Sequence, residues 1–450
     1  MATLQREPDL ETGLVSARTG IVRDVARMDL PAHLPDTLRL VTARLADSSS
    51  FCRWPADPAG TGCCWWDATG ARQAAIGESV ERYCANLVPA NLVLASYDEL
   101  AARGEAAIDL ASLALFSAQQ HATPGFPFVP FSCELRVQWA AGRDLLHGGR
   151  RLVPASLVYA SYPSGAERLG VPSTNPIAYS GVAAARSLAG AEFAALLELL
   201  ERDAVTLGWL SARPLPRIAI PEPFAALFEG PQGVLQTSLV AFPSDYGVPV
   251  LGALVHNLAS DMLALGTACR PDPWHAAMKA VCEAMQLHVI LEQLDDPGSA
   301  LMRHAVAPDG YLHPWRADRA YRQAYAPDLS DATDLMCQLQ LSLDPAVQPS
   351  LLARLRSGPS FELEAVAAPG PTTHPAILDR LAADGLTAVS VDVTTSDVRS
   401  LGWHVARVVA PGLLPNMPPA FPALGGVRLQ ALLSRPGGPS DPFLHPIPHA

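Results

Sequence analysis

Two stretches of this chain repeat one arrangement of charge. Gly77-Glu78-Ser79-Val80-Glu81-Arg82-Tyr83 and Leu197-Glu198-Leu199-Leu200-Glu201-Arg202-Asp203 both read Glu-x-x-Glu-Arg, and Glu283-Ala284-Met285-Gln286 keeps the spacing with an amide in the last place. On a helix, positions i and i+3 share a face, so each segment would offer two oxygen-bearing side chains side by side. A single such motif also describes a solvated helix face whose glutamates pair with arginines one turn on. The second copy stands in Ala-Ala-Leu-Leu-Glu-Leu-Leu-Glu, between Ala194 and Val205, and a helix this apolar all round is buried. A buried carboxylate is costly unless a cation offsets it. Six oxygen donors from three helices suit a hard cation such as Mg2+, which binds carboxylates and shares its shell with substrate phosphates.

The elements that must position these residues follow from periodicity and turn punctuation. Helices are expected over 35–46, 71–88, 97–103, 110–120, 190–209, 273–294, 331–343 and 373–383. Strands are expected over 134–140, 152–159, 235–241, 248–255, 387–393 and 403–409, with a further segment at 262–268. The fold class is α/β of the mixed α+β kind, with some antiparallel sheet. The three acidic motifs fall in the helices 71–88, 190–209 and 273–294. One domain is expected over 1–425. A proline-rich tail over 426–450 follows, in a region with ten prolines between 411 and 448. Such a segment is extended and cannot be helical.

Composition narrows the function. The 450 residues carry a net charge of −12, the wrong sign for a general nucleic-acid binder. Lys279 is the only lysine, and no glycine-rich turn precedes it, so the chain has no P-loop. Eight cysteines without a Cys-x-x-Cys pair argue against a local zinc site and read as reduced, mostly buried thiols of a cytoplasmic protein. The start of the sequence has no apolar signal region. The most apolar stretch, 248–269, contains Pro249, His256, Asn257 and Asp261 and is not a membrane span.

These residues resemble a family. The stretch from Ala71 to Tyr83 resembles the first ATP-site helix of YcaO-domain proteins. Ser180-Gly181-Val182-Ala183-Ala184 followed by the segment from Ala195 to Ala204 resembles the second signature, and Gly266-Thr267-Ala268 through Glu283 to Gln286 the third. Val408-Val409-Ala410-Pro411-Gly412-Leu413 is similar to the late strand and its Pro-Gly-Leu ending. The resemblance runs from about residue 15 onward. It implies a YcaO-like fold with mixed sheets and long acidic helices around an ATP site. It further implies that Mg2+ is held by Glu78, Glu81, Glu198, Glu201 and Glu283, with Gln286 and Arg186 added to the nucleotide set.

The implied activity is that of an azoline-forming cyclodehydratase. A Cys, Ser or Thr side chain of a ribosomally made precursor peptide adds to a backbone carbonyl, ATP phosphorylates the amide oxygen, and loss of phosphate leaves a thiazoline or oxazoline. Members of this branch end in a Pro-x-Pro-x-Pro-type tail that reaches the active site. Here the end is His445-Pro446-Ile447-Pro448-His449-Ala450, which places Ala450 at the catalytic end. The implied partners are the precursor peptide, a separate E1-like or leader-binding protein, a flavin-dependent azoline dehydrogenase and a second copy in a homodimer, with no nucleic acid and no membrane. Four positions depart from the family pattern: Ser180 and Arg186 stand where Asn is usual, Gly190 where Glu is, and His288 where Arg is. These departures keep two alternatives open, a YcaO-like scaffold or substrate-binding subunit without turnover, and an enzyme making thioamides or amidines.

Overall fold

The computed structural model describes residues 13–49, 57–113, 115–162, 170–222, 224–305, 310–434 and 441–449. Three long helices dominate it, each started by a side-chain cap. In α1 (Ala68–Asn86) the Asp67 carboxylate accepts from the Gly70 amide, in α2 (Leu188–Leu210) the Ser187 hydroxyl accepts from Gly190, and in α3 (Pro273–Leu294) Asp272 accepts from His275. Each cap satisfies one of the free N–H groups of a first turn, and Pro273 occupies a position where its missing N–H costs nothing.

Each helix lies on a different sheet. α1 packs on an antiparallel three-stranded sheet of Val22–Arg27, Leu38–Leu45 and Ala59–Trp65. α2 packs on the strands Val182–Ala185 and His404–Val409 of a six-stranded sheet, and α3 on Val250–Asn257 and Met262–Cys269 of a five-stranded sheet. Close approach depends on glycine. A Cβ on Gly62 would stand 2.1 Å from the Ala71 carbonyl oxygen of α1, and one on Gly266 2.1 Å from the Ala280 carbonyl oxygen of α3. Both helices therefore rest directly on a strand backbone.

The sequence expectation fails in the first sheet. Residues 35–46 form the strand Leu38–Leu45 and not a helix. Leu38, Leu40 and Ala43 are buried there while Arg39 and Thr42 are more open, a near-alternation that a helical reading of the apolar residues overlooks. Periodicity does not predict the strand Ala59–Trp65, because its glycines lower strand propensity, although Gly60 and Gly62 are what admits α1. The expected strand over 152–159 ends at Pro154 in a 3-10 turn, the expected helix over 331–343 begins only at Met336, and the helix expected over 110–120 is a 3-10 turn at Leu110–Leu113 and a short helix Ala118–Ala122. The tail expected to be extended throughout holds a helix, Val427–Leu433, which lies between its prolines and contains none.

Cysteine usage also needs correction. Cys63 and Cys282 form a disulfide with their Cα atoms 6.1 Å apart, although 219 residues separate them. Packing of the strand Ala59–Trp65 against α3 brings them together, which local spacing cannot reveal. Cys64, Cys84, Cys133, Cys269 and Cys337 are free thiols. Among the described residues no helix is long and apolar enough to cross a membrane.

Residues 441–449 run back across the domain. The Phe443 amide donates to the Leu210 carbonyl at the end of α2, and the Trp209 indole N–H to the His445 carbonyl, at 3.0 and 2.8 Å. Further on, the Ile447 amide donates to Gln338 and the Leu265 amide to the Pro448 carbonyl, at 3.1 and 2.6 Å. Ala450 lies outside the described residues.

Candidate active site

The three helices meet at a cavity of about 290 Å³ lined by Thr61, Glu78, Glu81, Arg82, Glu198, Arg202, Lys279, Glu283, Gln286, Leu287 and His449. Five of the six residues singled out by spacing line it, Glu78, Glu81, Glu198, Glu283 and Gln286, and His449 of the tail adds to the wall. Each helix brings one acid–base pair a single turn apart. Glu78 pairs with Arg82 at 3.4 Å, Glu198 with Arg202 at 3.9 Å, and Glu283 with Lys279 at 3.2 Å. Four carboxylates thus face three cations across one concave surface.

Thr61 joins two of the walls. Its amide and hydroxyl both donate to Glu78, at 2.8 and 3.3 Å, and its hydroxyl oxygen accepts from the Gln286 side-chain amide at 2.6 Å. Glu198 accepts from the Gly181 amide at 3.0 Å. Gly181 has a φ of +87°, a conformation that glycine adopts without the steric cost other residues meet.

The electrostatics divide the acids. Burial pushes the Glu81 carboxyl well above the usual range; Arg82 opposes the shift, and Glu198 and Glu78 add to it. Burial also raises Glu198, against Arg202 and the Gly181 N–H. Burial disfavours charge on Glu201 too, but Arg202, the Thr267 hydroxyl and Arg270 outweigh it and hold this carboxyl below the usual range.

Glu201 is not part of the cavity wall. It is 5% exposed, and its two oxygens accept from Thr267 Oγ1 at 2.7 Å and the Cys269 amide at 2.9 Å. Arg186 is likewise elsewhere. Its exposed guanidinium lies 4.0 Å over the Trp403 ring, and it follows the end of the strand Val182–Ala185 whose other end leads back to Gly181. Gly190 serves the α2 cap, and His288 is a core residue whose Nε2 meets the Val255 carbonyl at 3.0 Å, burial pushing its pKa down to about 4.

Several residues of the site were not singled out by the motif argument. Arg82 and Arg202 were visible only as the closing residue of the repeated motif. Lys279 was visible as the chain's one lysine, four residues before Glu283. Arg407 stood out only as a charge inside the apolar run 403–409. It is fully buried, donating to the carbonyls of Val158, Ala178, Tyr179 and Ser180. Burial pushes its pKa down to about 10 against the pull of Glu198 and Glu81, so a positive charge stands behind those two acids. His449 is 3% exposed; its Nδ1 meets the Leu265 carbonyl at 2.9 Å and its Nε2 meets Arg202. Nothing in the local sequence signals that contact.

The donor set can be tested against Mg2+. Among the described residues no three His, Cys, Asp or Glu side chains form a ready-made cage. Mg2+ is commonly held by one or two carboxylates together with substrate phosphates rather than by an all-protein cage. Glu78, Glu81, Glu198 and Glu283 fit that pattern; Glu201, with both oxygens taken, does not.

Comparison with known proteins bears on the family and the fold. Residues 67–414 match the model of a family described as the YcaO cyclodehydratases, binding ATP and Mg2+. A heterocyclase solved in complex with substrate and cofactor superimposes with a TM-score of 0.65 at 21% identity, over 89% of this chain and 51% of that one. YcaO from Methanopyrus kandleri, bound with AMPPCP and Mg2+, gives 0.58 at 18% identity, over 88% and 90%. The microcin synthetase McbBCD complex of E. coli gives 0.53 at 14%, over 86% and 87%. A protein encoded in the tfuA 3' region of Rhizobium leguminosarum bv. trifolii is 27% identical over 241 residues, and this chain spans 52% of its length. The chain thus covers about half the length of the curated relative and of the first heterocyclase. With a family match across most of its length and a fold shared with these structures, the chain belongs to the YcaO family.

Proposed function

We propose that the chain is an ATP- and Mg2+-dependent cyclodehydratase subunit that forms thiazoline or oxazoline rings in a ribosomally made precursor peptide. The observation that carries this reading is the cavity where three helices from three sheets each present an acid–base pair. Such a wall suits a magnesium–polyphosphate ligand, because carboxylates meet the metal and cations meet the phosphates. Bound Mg2+ supplies neutralisation of phosphate charge.

The protein's own groups then have assignable tasks. Arg82 and Arg202 offer fixed N–H donors for phosphate oxygens, a geometry in which guanidinium excels. Glu78, tied to Thr61, and Glu198, tied to the Gly181 amide, hold their carboxylates in place before a ligand arrives. In the reaction, a substrate thiol or hydroxyl adds to the preceding carbonyl carbon. The resulting oxygen attacks the terminal phosphorus and ADP leaves. Phosphate then departs with that oxygen, the carbon–nitrogen double bond forms, and the proton of the thiol or hydroxyl and that of the amide are released. The enzyme's contribution is mostly positioning and charge stabilisation, as in other phosphoryl transfers. Ala450 is proposed as the catalytic end of the tail, and a separate leader-binding partner delivers the peptide. A flavin-dependent dehydrogenase acting afterwards, a homodimer and a cytoplasmic setting complete the proposal.

Thermal unfolding with and without Mg·ATP tests it. A ligand at about 100 times its Kd, bound only by the folded state, stabilises by about 2.7 kcal/mol. A Mg2+-dependent rise in Tm that Glu198→Gln abolishes is expected. No rise at saturating nucleotide, with the partner protein absent or present, would favour the scaffold alternative.

A further inference from the structure

The acid–base pairs of the cavity are not equivalent. In α1 and α2 the glutamate precedes the arginine, the order that also stabilises an isolated helix. In α3 the order is reversed, Lys279 before Glu283, which is the weaker arrangement for a helix. This pair therefore gives its helix the least of the three. The cations also differ in how firmly they are held. Arg82 lies near Glu78, Asp57 and the Tyr179 ring. Arg202 meets Glu198, Glu201, Thr267 and His449. Lys279 has one ion-pair partner among the described residues, Glu283 at 3.2 Å, and its side chain is 30% exposed at the cavity. An ammonium on a four-carbon stem is a mobile point charge with three donors that turn freely, unlike the rigid fork of arginine.

We infer that Lys279 is the cation that changes partner when the cavity fills: once a divalent ion occupies Glu283, its ammonium turns to the terminal phosphate oxygens of the nucleotide. The inference rests on the nucleotide reading above and adds to it a residue that discriminates by phosphate number. No covalent bond is made or broken. One carboxylate–ammonium pair is replaced by a carboxylate–metal contact and a phosphate–ammonium contact, so the carboxylate's charge remains compensated throughout.

Because Lys279 is the chain's only lysine, amine chemistry reads it directly. The full chain is treated briefly with acetylating reagent alone, with Mg2+, and with Mg·ATP, and acetylation of Lys279 is measured by mass spectrometry against the N-terminal amine as internal reference. Binding of Mg·ATP and Mg·ADP to the wild type and to Lys279→Gln is measured by calorimetry. The expected result is that Mg·ATP, but not Mg2+ alone, slows acetylation of Lys279 about tenfold or more. Lys279→Gln should weaken Mg·ATP by about tenfold and Mg·ADP less, the size of one charge-assisted hydrogen bond. Unchanged acetylation while calorimetry shows bound nucleotide overturns the assignment. So does protection combined with unchanged affinity in Lys279→Gln, since the nucleotide would then merely cover the amine. Absence of nucleotide binding by the wild type sinks the nucleotide reading itself, and Lys279's role with it.

Discussion

In α1 the second glutamate of the repeated motif, Glu81, stands in the cavity wall, partly buried and without a hydrogen-bonded partner among the described residues. In α2 the corresponding Glu201 is turned away from the cavity, and Thr267, the Cys269 amide and Arg202 surround it. The two share the Glu-x-x-Glu-Arg spacing; the sheets beneath them differ. The strand Met262–Cys269 reaches Glu201 with a hydroxyl and an amide, and the first sheet offers Glu81 neither. One copy of the motif has become an acid whose charge awaits a ligand, and the other an internal brace for Arg202.

That contrast can be broken most forcefully at Glu201. Replacing it with Gln removes the nearer of the two carboxylates that Arg202 meets, the one that is itself buried, and breaking a buried pair typically costs about 3–5 kcal/mol. Chemical denaturation should show a loss of that size in Glu201→Gln and little or no loss in Glu81→Gln. Equal losses would mean that both glutamates are structural and that the contrast is false.

Glu81→Gln should instead remove the Tm rise given by Mg·ATP, worth about 2.7 kcal/mol at 100 times Kd. The acidity of the two groups sharpens the same point. A carboxyl raised in the folded state binds more protons there than in the unfolded chain. The Glu81 contribution to stability therefore falls as pH rises from the ordinary carboxylate range through its raised value, and its cost is fully present above that. Glu201, held low, contributes stability that is complete above the ordinary range and is lost as pH falls through its depressed value. Denaturation curves of the ligand-free protein across pH should lose the Glu81 share of the first dependence in Glu81→Gln, with Glu198 keeping its own, and the Glu201 share of the second in Glu201→Gln.

The smallest effect belongs to an exposed pair that serves as the reference. Arg44 holds Asp24 across the first two strands, both well exposed. Asp24→Asn should cost less than about 1 kcal/mol. A loss as large as that of Glu201→Gln would show that burial is not what separates the two classes of carboxylate.

How much of this was legible in advance follows the range of each interaction. The acidic helices were legible because charge inside an apolar 3.6-residue period is a local signal, and α3 matches its expected span of 273–294. The joint at Thr61 was not, because it connects residues 17 and 225 positions apart. Counting back from Glu198 assigned Arg186 to the nucleotide set, but the intervening strand carries it past the site onto Trp403. The Leu38–Leu45 strand was misread because its core-facing residues fit a helical period about as well as an alternating one. The Cys63–Cys282 disulfide and the contact between His449 and Arg202 depend on packing across 219 and 247 residues.

The path of residues 441–449 has a consequence for solution behaviour. The strand Met262–Cys269 is the last of its sheet, and the Leu265 amide on its open side is taken by Pro448. An unpaired outer strand is a template onto which another chain can add, and this one is buried along its whole length. The proline-rich segment closes that template with a backbone that has few donors of its own to pass the pairing on. Ending the chain before Asp441 should therefore produce clumping before it produces unfolding, visible as growth in light scattering at temperatures where the circular dichroism of the helices is still intact.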